Sequence, residues 1–169
     1  MVSVSQIISC KVIYLKAHTM TLTATMSALI FIATFVPKIP IPLGYAHLGD
    51  AAIFLTVILC GRKIGILSGV IGSASADLLS GFPIWILPTM LIKAAMAEIF
   101  FRLHDKNILL ALVVASFFMT LGYTFAGGIL YDSLNAGLTS TPGLLVKSSV
   151  NIFITIVVSA TIKAQGLKI

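Results

Sequence analysis

The strongest constraint on this chain is a succession of apolar runs, each near the length of a membrane crossing, joined by turns of a few residues. A helix needs roughly 17–25 mostly apolar residues to traverse about 30 Å of hydrocarbon. On that measure the sequence predicts six helices, at 19–36, 48–60, 64–79, 86–101, 108–131 and 144–162. The second and third are short and separated only by Gly61, Arg62 and Lys63. That spacing reads as a tight basic hairpin between two helices. Composition agrees, because charged residues are only 9% of the 169 and hydrophobic ones 59%. A soluble domain carries roughly a quarter charged residues, so there is too little polar surface here for a water-facing exterior. The expected fold is an all-α integral membrane protein: a six-helix bundle, one domain over 1–169, with six spans across 19–162. Residues 1–18 form an N-terminal segment, either an interfacial helix or an extension of the first span.

Loop charge orients this arrangement. The N-terminal segment, the second and fourth loops and the C-terminus carry Lys11, Lys16, Arg62, Lys63, Arg102, Lys106, Lys163 and Lys168. The opposite side holds Lys38 and Lys147, and Lys93 lies within a span. Basic loops stay in the cytoplasm, so both termini are expected there. The net charge of +6 is thereby accounted for without a nucleic-acid partner. The apolar run 20–36 follows Lys11 and Lys16 and ends at Pro37 without a small-residue cleavage site, so it reads as a retained span and not a secretion signal. Of the external loops, 37–46 (PKIPIPLGYA) reads as extended and stiff, 80–85 (SGFPIW) as short and 132–143 as the longest. Elaborated loops on one face suggest that the external face receives a ligand.

Several classes of chemistry find no support. No Gly-Lys-Ser/Thr occurs, so a nucleotide loop is missing and any ATP use would belong to another subunit. His18, His47 and His104 fall on different segments, with no His/Glu pair at helical spacing to bind a metal. No metal and no cofactor is expected in this chain, and it does not read as an enzyme. Cys10 and Cys60 have no metal-ligand spacing and read as small apolar residues. Two alternatives stay open. An integral membrane enzyme would need a clustered acid/base or metal constellation. A stand-alone secondary transporter or channel would need buried carboxylates, for which Asp77 is the deep candidate apart from Glu98, and no inverted repeat is apparent.

A few polar residues within or beside the spans carry the site argument. Asp77, near the external end of the third helix, reads either as a ligand contact or as a structural partner of Lys93, which enters the fourth helix from the same side. Lys93 reads as a polar wall of a pocket. Glu98 and Arg102 form an i,i+4 pair at the cytoplasmic interface. In the cluster His47-Leu48-Gly49-Asp50, Asp50 reads as a helix cap and His47 as an exposed loop residue, with ligand contact by either left open. Trp85, the single tryptophan, is either an interfacial belt residue or a stacking surface for a flat ligand. Tyr123 and Tyr131 offer the same option. Asn151 lies seven residues into the sixth helix, at a depth like that of Lys93, which hints at a shared site. Small residues at four-residue spacing, Gly65, Gly69 and Ser73 in one helix and Ala24 and Ala28 in another, read as internal packing or a docking face.

With six short spans, cytoplasmic termini and Ala24-xxx-Ala28 in its first helix, the chain resembles the substrate-binding S components of energy-coupling factor (ECF) transporters. The stretch GYAHLGDAAIFLTVILCGRKIGILSGVIGSASADLLSGFPIW, residues 44–85, looks closest to the branch associated with hydroxymethylpyrimidine or pyridoxine-like substrates. The resemblance implies a multi-pass protein of a prokaryotic cell membrane. It further implies vitamin capture near the external face, in a pocket made by helices four to six and loops one, three and five. The implied partners are a transmembrane coupling subunit, docked through the Ala24/Ala28 face, and two cytosolic ATPase subunits. By that resemblance the capture subunit topples in the membrane to carry its ligand across. Ring stacking on Trp85 or a tyrosine, with polar pairing at Asn151, Asp77 and Lys93, is the expected mode of capture.

Overall fold

Backbone polar groups inside lipid must be satisfied within the chain, which favours helices wherever the run is apolar. The computed structural model describes residues 4–41 and 44–165, with side chains over 16–41 and 45–165. The chain runs as α1 (Val4–Phe35), β1 (Ile39–Ile41), β2 (Gly44–Ala46), α2 (Gly49–Leu79), a 3-10 turn at Pro83–Trp85, α3 (Ile86–Leu103), α4 (Ile108–Leu130) and α5 (Leu134–Ala164). Among the described residues, five helices are long and apolar enough to cross a membrane. The side chains of Cys10 and Lys11, and residues Pro42, Leu43 and Lys168, lie outside the described residues. Helix α1 is continuous from Val4, and its stretch apolar enough to cross a membrane is Lys16–Phe35.

Helix α2 is not one straight rod. Gly61 sits at φ 80° and ψ 177°, a conformation open to glycine and strained for other residues. In a straight helix, residues eight apart are separated by about 12 Å along the axis. Here a Cβ on Gly65 would lie 2.4 Å from Val57 Cγ2, and one on Gly69 would lie 3.3 Å from Ile53. The halves 49–60 and 62–79 are therefore antiparallel and in close contact, as the Gly61-Arg62-Lys63 turn predicts. The small residues of the second half serve internal packing. Gly72 meets the Ser27 carbonyl and Ile30 of α1, and Ser73 is buried. At the tip, Arg62 grips Glu98 with Nε and Nη2 at 2.6 and 3.0 Å, and Arg102 adds a third contact at 2.6 Å. The sequence shows only the Glu98–Arg102 half of this cluster.

Two expected loops turn out to be ordered elements. Residues 39–41 and 44–46 pair as a small antiparallel hairpin, with Ile39 opposite Ala46 and Pro40 opposite Tyr45. The expected long loop 132–143 is helix from Leu134 onward, so α5 begins ten residues before the predicted 144. The Ser133 side chain accepts from the Ala136 N–H and caps the helix. Gly137 then lets α5 approach the α4 backbone: a Cβ there would lie 2.2 Å from the Thr124 carbonyl. Asn135, Gly137 and Pro142 look like loop residues, but packing against α4 overrides those local preferences. Only 131–133 remain as a turn, with Asp132 at φ 47°.

The interior is apolar on one level and polar on another. Ile30, Ile53, Phe54, Met96, Phe100, Leu112 and Met119 form the apolar core, while Leu87, Ile129 and Phe153 are largely exposed on the outside. The buried stripe of α5 includes Ser140, Lys147, Ser148, Asn151, Thr155 and Ser159. This helix turns its polar face inward, as befits a helix bathed in lipid. Ala24 and Ala28 stay exposed on α1. Because Gly137 abuts backbone that cannot move aside, Gly137→Ala is expected to lower stability by about 2 kcal/mol, read as a fall in thermal midpoint of the detergent-solubilised chain.

Candidate functional site

The site is assembled around the start of α2. Asn151 of α5 accepts the Ala51 N–H at 2.8 Å and donates to the His47 carbonyl at 2.9 Å and the Lys147 carbonyl at 2.8 Å. It thus pins the chain leading into α2 against α5. His47 is buried, and its Nδ1 accepts the Gly49 N–H at 3.0 Å. Asp50 does not cap the helix. Its carboxylate is instead drawn between two ammonium groups. Lys93 of α3 donates to Oδ1, and Lys147 of α5 lies 3.0 Å from Oδ2. All three residues are buried. Two sequence expectations are corrected here. Lys93 pairs with Asp50 and not with Asp77, and Lys147, expected at the start of a helix beginning at 144, lies midway along α5. The second follows from α5 beginning early, which sets this lysine at the level of Asp50.

Above this triad opens a cleft of about 500 Å3, its mouth included, walled by Ile41, Tyr45, His47, Asp77, Phe82, Trp85, Thr89, Tyr123, Ser140, Leu144 and Lys147. Its walls come from the β-hairpin, the outer end of α2, the 3-10 turn and helices α3 to α5. Trp85 is buried, its ring 5.8 Å from that of Tyr123 and 6.3 Å from that of Tyr131, so it faces the cleft and is no belt residue. Its Nε1 donates to the Tyr131 hydroxyl at 3.4 Å. Tyr45 and Phe82 stand against each other with ring centroids 5.8 Å apart.

Asp77 anchors the polar side of the cleft. It accepts the Tyr45 hydroxyl at 2.8 Å and the Thr89 hydroxyl, and Tyr123 donates to Thr89 at 3.2 Å. The Tyr45 contact ties the β-hairpin to α2. Lys38, before the hairpin, adds a second tie through Ser80 Oγ at 2.6 Å. Burial raises the Tyr45 hydroxyl above its ordinary pKa, and the Asp77 carboxylate pushes the same way, so Tyr45 remains a donor. Burial also lowers the His47 ring well below its ordinary 6.5, helped by the Lys147 ammonium.

Of the sequence-derived candidates, the fold brings Asp77, Trp85, Tyr123 and His47 together on the cleft wall. Asp50 and Lys93 lie behind it in the triad, and Asn151 is engaged in bracing the backbone. Tyr131 is 42% exposed and reaches the site through Trp85. Sequence reasoning missed Tyr45, Phe82, Thr89, Ser140 and Lys147. The signal for Lys147 was its i,i+4 relation to Asn151, continued by Thr155 and Ser159.

A sequence model of the family described as "ECF-type riboflavin transporter, S component" matches residues 14–164, nearly the whole chain. The chain belongs to the S-component family of ECF transporters. The S-component fold is seen again in the solved structure described as "Structure and mechanism of the S component of a bacterial ECF transporter", with a TM-score of 0.74 over 90% of this chain and 99% of that chain at 18% identity. An uncharacterised Pyrococcus woesei protein, described as lying in the "gap 3'region", is 37% identical over 107 residues, 59% of this chain and 72% of that one. As an S component this is a membrane protein whose role is vitamin capture for an ECF transporter, with transmembrane coupling and ATPase subunits as partners.

Removing Asp50 leaves two ammonium groups buried without a counter-charge. Asp50→Ala is therefore expected to cost about 3–5 kcal/mol, and Lys93→Met or Lys147→Met distinctly less, because either leaves one ion pair standing. Chemical unfolding in detergent measures the difference. The His47 ring has a folded pKa below its unfolded one. Its contribution is therefore intact above pH 6.5 and is lost as pH falls below 6.5 toward the lowered folded value. The slope approaches about 1.4 kcal/mol per pH unit for one proton. His47→Gln should flatten that acid-side loss in a pH series of thermal midpoints.

Proposed function

We propose that the cleft captures a small, flat heteroaromatic vitamin or vitamin precursor of the hydroxymethylpyrimidine or pyridoxine-like kind at the external face. The observation that carries this reading is the composition of the wall. Aromatic rings of Trp85, Tyr123, Tyr45 and Phe82 surround a space whose polar groups are few and fixed: Asp77, Thr89, Ser140 and Lys147. Rings supply stacking area, and fixed donors and acceptors reject a ligand that leaves them unpaired at about 1–3 kcal/mol each. Asp77, Trp85, Tyr123 and His47 contact the ligand directly. Asp50, Lys93, Asn151 and Tyr131 hold those contacts in position.

In this reading the two antiparallel halves of α2 count as separate crossings, making six in all with both termini cytoplasmic. Supporting it, Arg62, Lys63, Arg102 and Lys163 lie at the end of the bundle away from the cleft, the distribution expected of a cytoplasmic face. The exposed Ala24 and Ala28 of α1 dock on a transmembrane coupling subunit, which two cytosolic ATPases drive. No residue of α1 lines the cleft, so capture and docking use different elements. A second reading, a flavin as the ligand, is favoured by the description of the matched family.

The test is a binding screen on the purified chain in detergent, by calorimetry and by fluorescence of Trp85, the only tryptophan. Pyridoxine or hydroxymethylpyrimidine binding with a change in Trp85 emission is the expected result. Riboflavin binding in their place would support the second reading, and no binding by folded protein to any vitamin would sink both. Asp77→Ala is expected to weaken the bound vitamin by roughly ten- to a hundredfold, and unchanged affinity would remove Asp77 from the site.

A further inference from the structure

The charges around the cleft sum to a definite value, and that value selects among forms of one ligand. Four ionisable side chains, each counted in its ordinary ionised form, surround the cleft floor: Asp50, Asp77, Lys93 and Lys147, all buried. Asp50 lies between the two lysines, so it balances one of them and leaves one positive charge over. Asp77 accepts only from neutral hydroxyls, those of Tyr45 and Thr89, so its negative charge is not cancelled by its own partners. The surplus of the triad and the charge of Asp77 therefore offset each other across the cleft. His47 adds none, because its Nδ1 accepts the Gly49 N–H and so carries no proton. The remaining titratable wall residues, Tyr45 and Tyr123, are neutral phenols. Lys38 lies outside the lining and is engaged with Ser80 and the Phe35 ring.

We infer that the cleft takes a ligand of zero net charge, one that accepts a hydrogen bond from Lys147 and donates one to Asp77, and that it rejects the phosphorylated form of the same vitamin. This rests on the capture reading and adds the charge state of what is captured. The physical reason is desolvation. A neutral ligand enters a site whose internal charges already balance. A phosphate monoester brings about two negative charges at neutral pH into a space with one lysine partner, itself shared with Asp50, and faces Asp77 opposite. Burying unpaired charge costs several times what a neutral polar group costs. The polarity of the wall also orients the neutral ring: the Lys147 ammonium has donors to spare beyond Asp50, and each Asp77 oxygen keeps a second lone pair.

The experiment compares matched pairs by calorimetry on the full chain in detergent: hydroxymethylpyrimidine, pyridoxine and riboflavin, each with its own phosphate monoester. In whichever pair binds, the neutral member is expected to be tighter by roughly a hundredfold or more. A phosphate ester bound as tightly as its parent, or tighter, overturns the inference and leaves vitamin capture standing. No binding of any member by folded protein overturns both. A second measurement isolates the contribution of Asp77. Asp77→Asn leaves the floor with a net positive charge and should shrink the neutral-to-ester preference by about tenfold. An unchanged ratio in that variant overturns the charge-balance account.

Discussion

A carboxylate held away from water in a lipid-bathed bundle is tolerated only if cations come to it, and Asp50 brings two. Lys93 arrives on α3 and Lys147 on α5, so one side chain at the start of α2 sets the relative height of three helices. Asn151 reinforces the same level by bonding the backbone on both sides of His47 and Asp50. Apolar packing in lipid supplies little preference for one register over another, because tails are as apolar as leucine. The buried ion cluster supplies that preference. The cleft sits directly on it, so the same contacts that register the helices also present Lys147 and His47 to the space above.

The opposite wall of the cleft is organised by a second polar anchor. Asp77 gathers Tyr45 from the β-hairpin and Thr89 from α3, and Tyr123 of α4 joins through Thr89. Four separate stretches of chain thus meet at one carboxylate. Helix α1 takes no part in either anchor. It packs on α2 through the close approach at Gly72 and leaves Ala24 and Ala28 at the surface. If α1 docks on a coupling subunit as proposed, it engages that partner without disturbing the polar floor.

Hydropathy made most of this architecture legible. The apolar runs located the helices, and Gly61-Arg62-Lys63 located the reversal inside α2, because only a glycine adopts that backbone angle freely and two cations there belong at a membrane surface. The main error arose from local preference. Asn135, Gly137 and Pro142 argued for a loop, whereas Ser133 caps a helix and Gly137 packs it against α4. That single boundary placed Lys147 at the mouth of its helix instead of midway along it, and so hid the cation that completes the triad. The choice of partner for Lys93 was beyond reach for a different reason. Asp50 and Asp77 stand at opposite ends of α2, which its reversal at Gly61 brings to the same end of the bundle, and sequence distance says nothing about which stands closer to Lys93. Trp85, Tyr123 and Asp77 were recognisable because aromatic and ionisable residues in apolar runs are rare. Tyr45 and Thr89 were not, since a loop tyrosine and a helix threonine are commonplace until folding sets them beside a carboxylate.

The inward polar stripe of α5 has a consequence for how the protein is made. Helix α5 leaves the ribosome after α1 to α4, and with Lys147, Ser148, Asn151 and Thr155 on one face it is a poor candidate to enter a bilayer alone, where a central lysine costs about 2.5–3.5 kcal/mol. Its insertion is helped by the helices synthesised before it, because Asp50 is by then already waiting in the membrane to receive the lysine. Chain order thus lets α5 complete an ion cluster begun by α2 and α3.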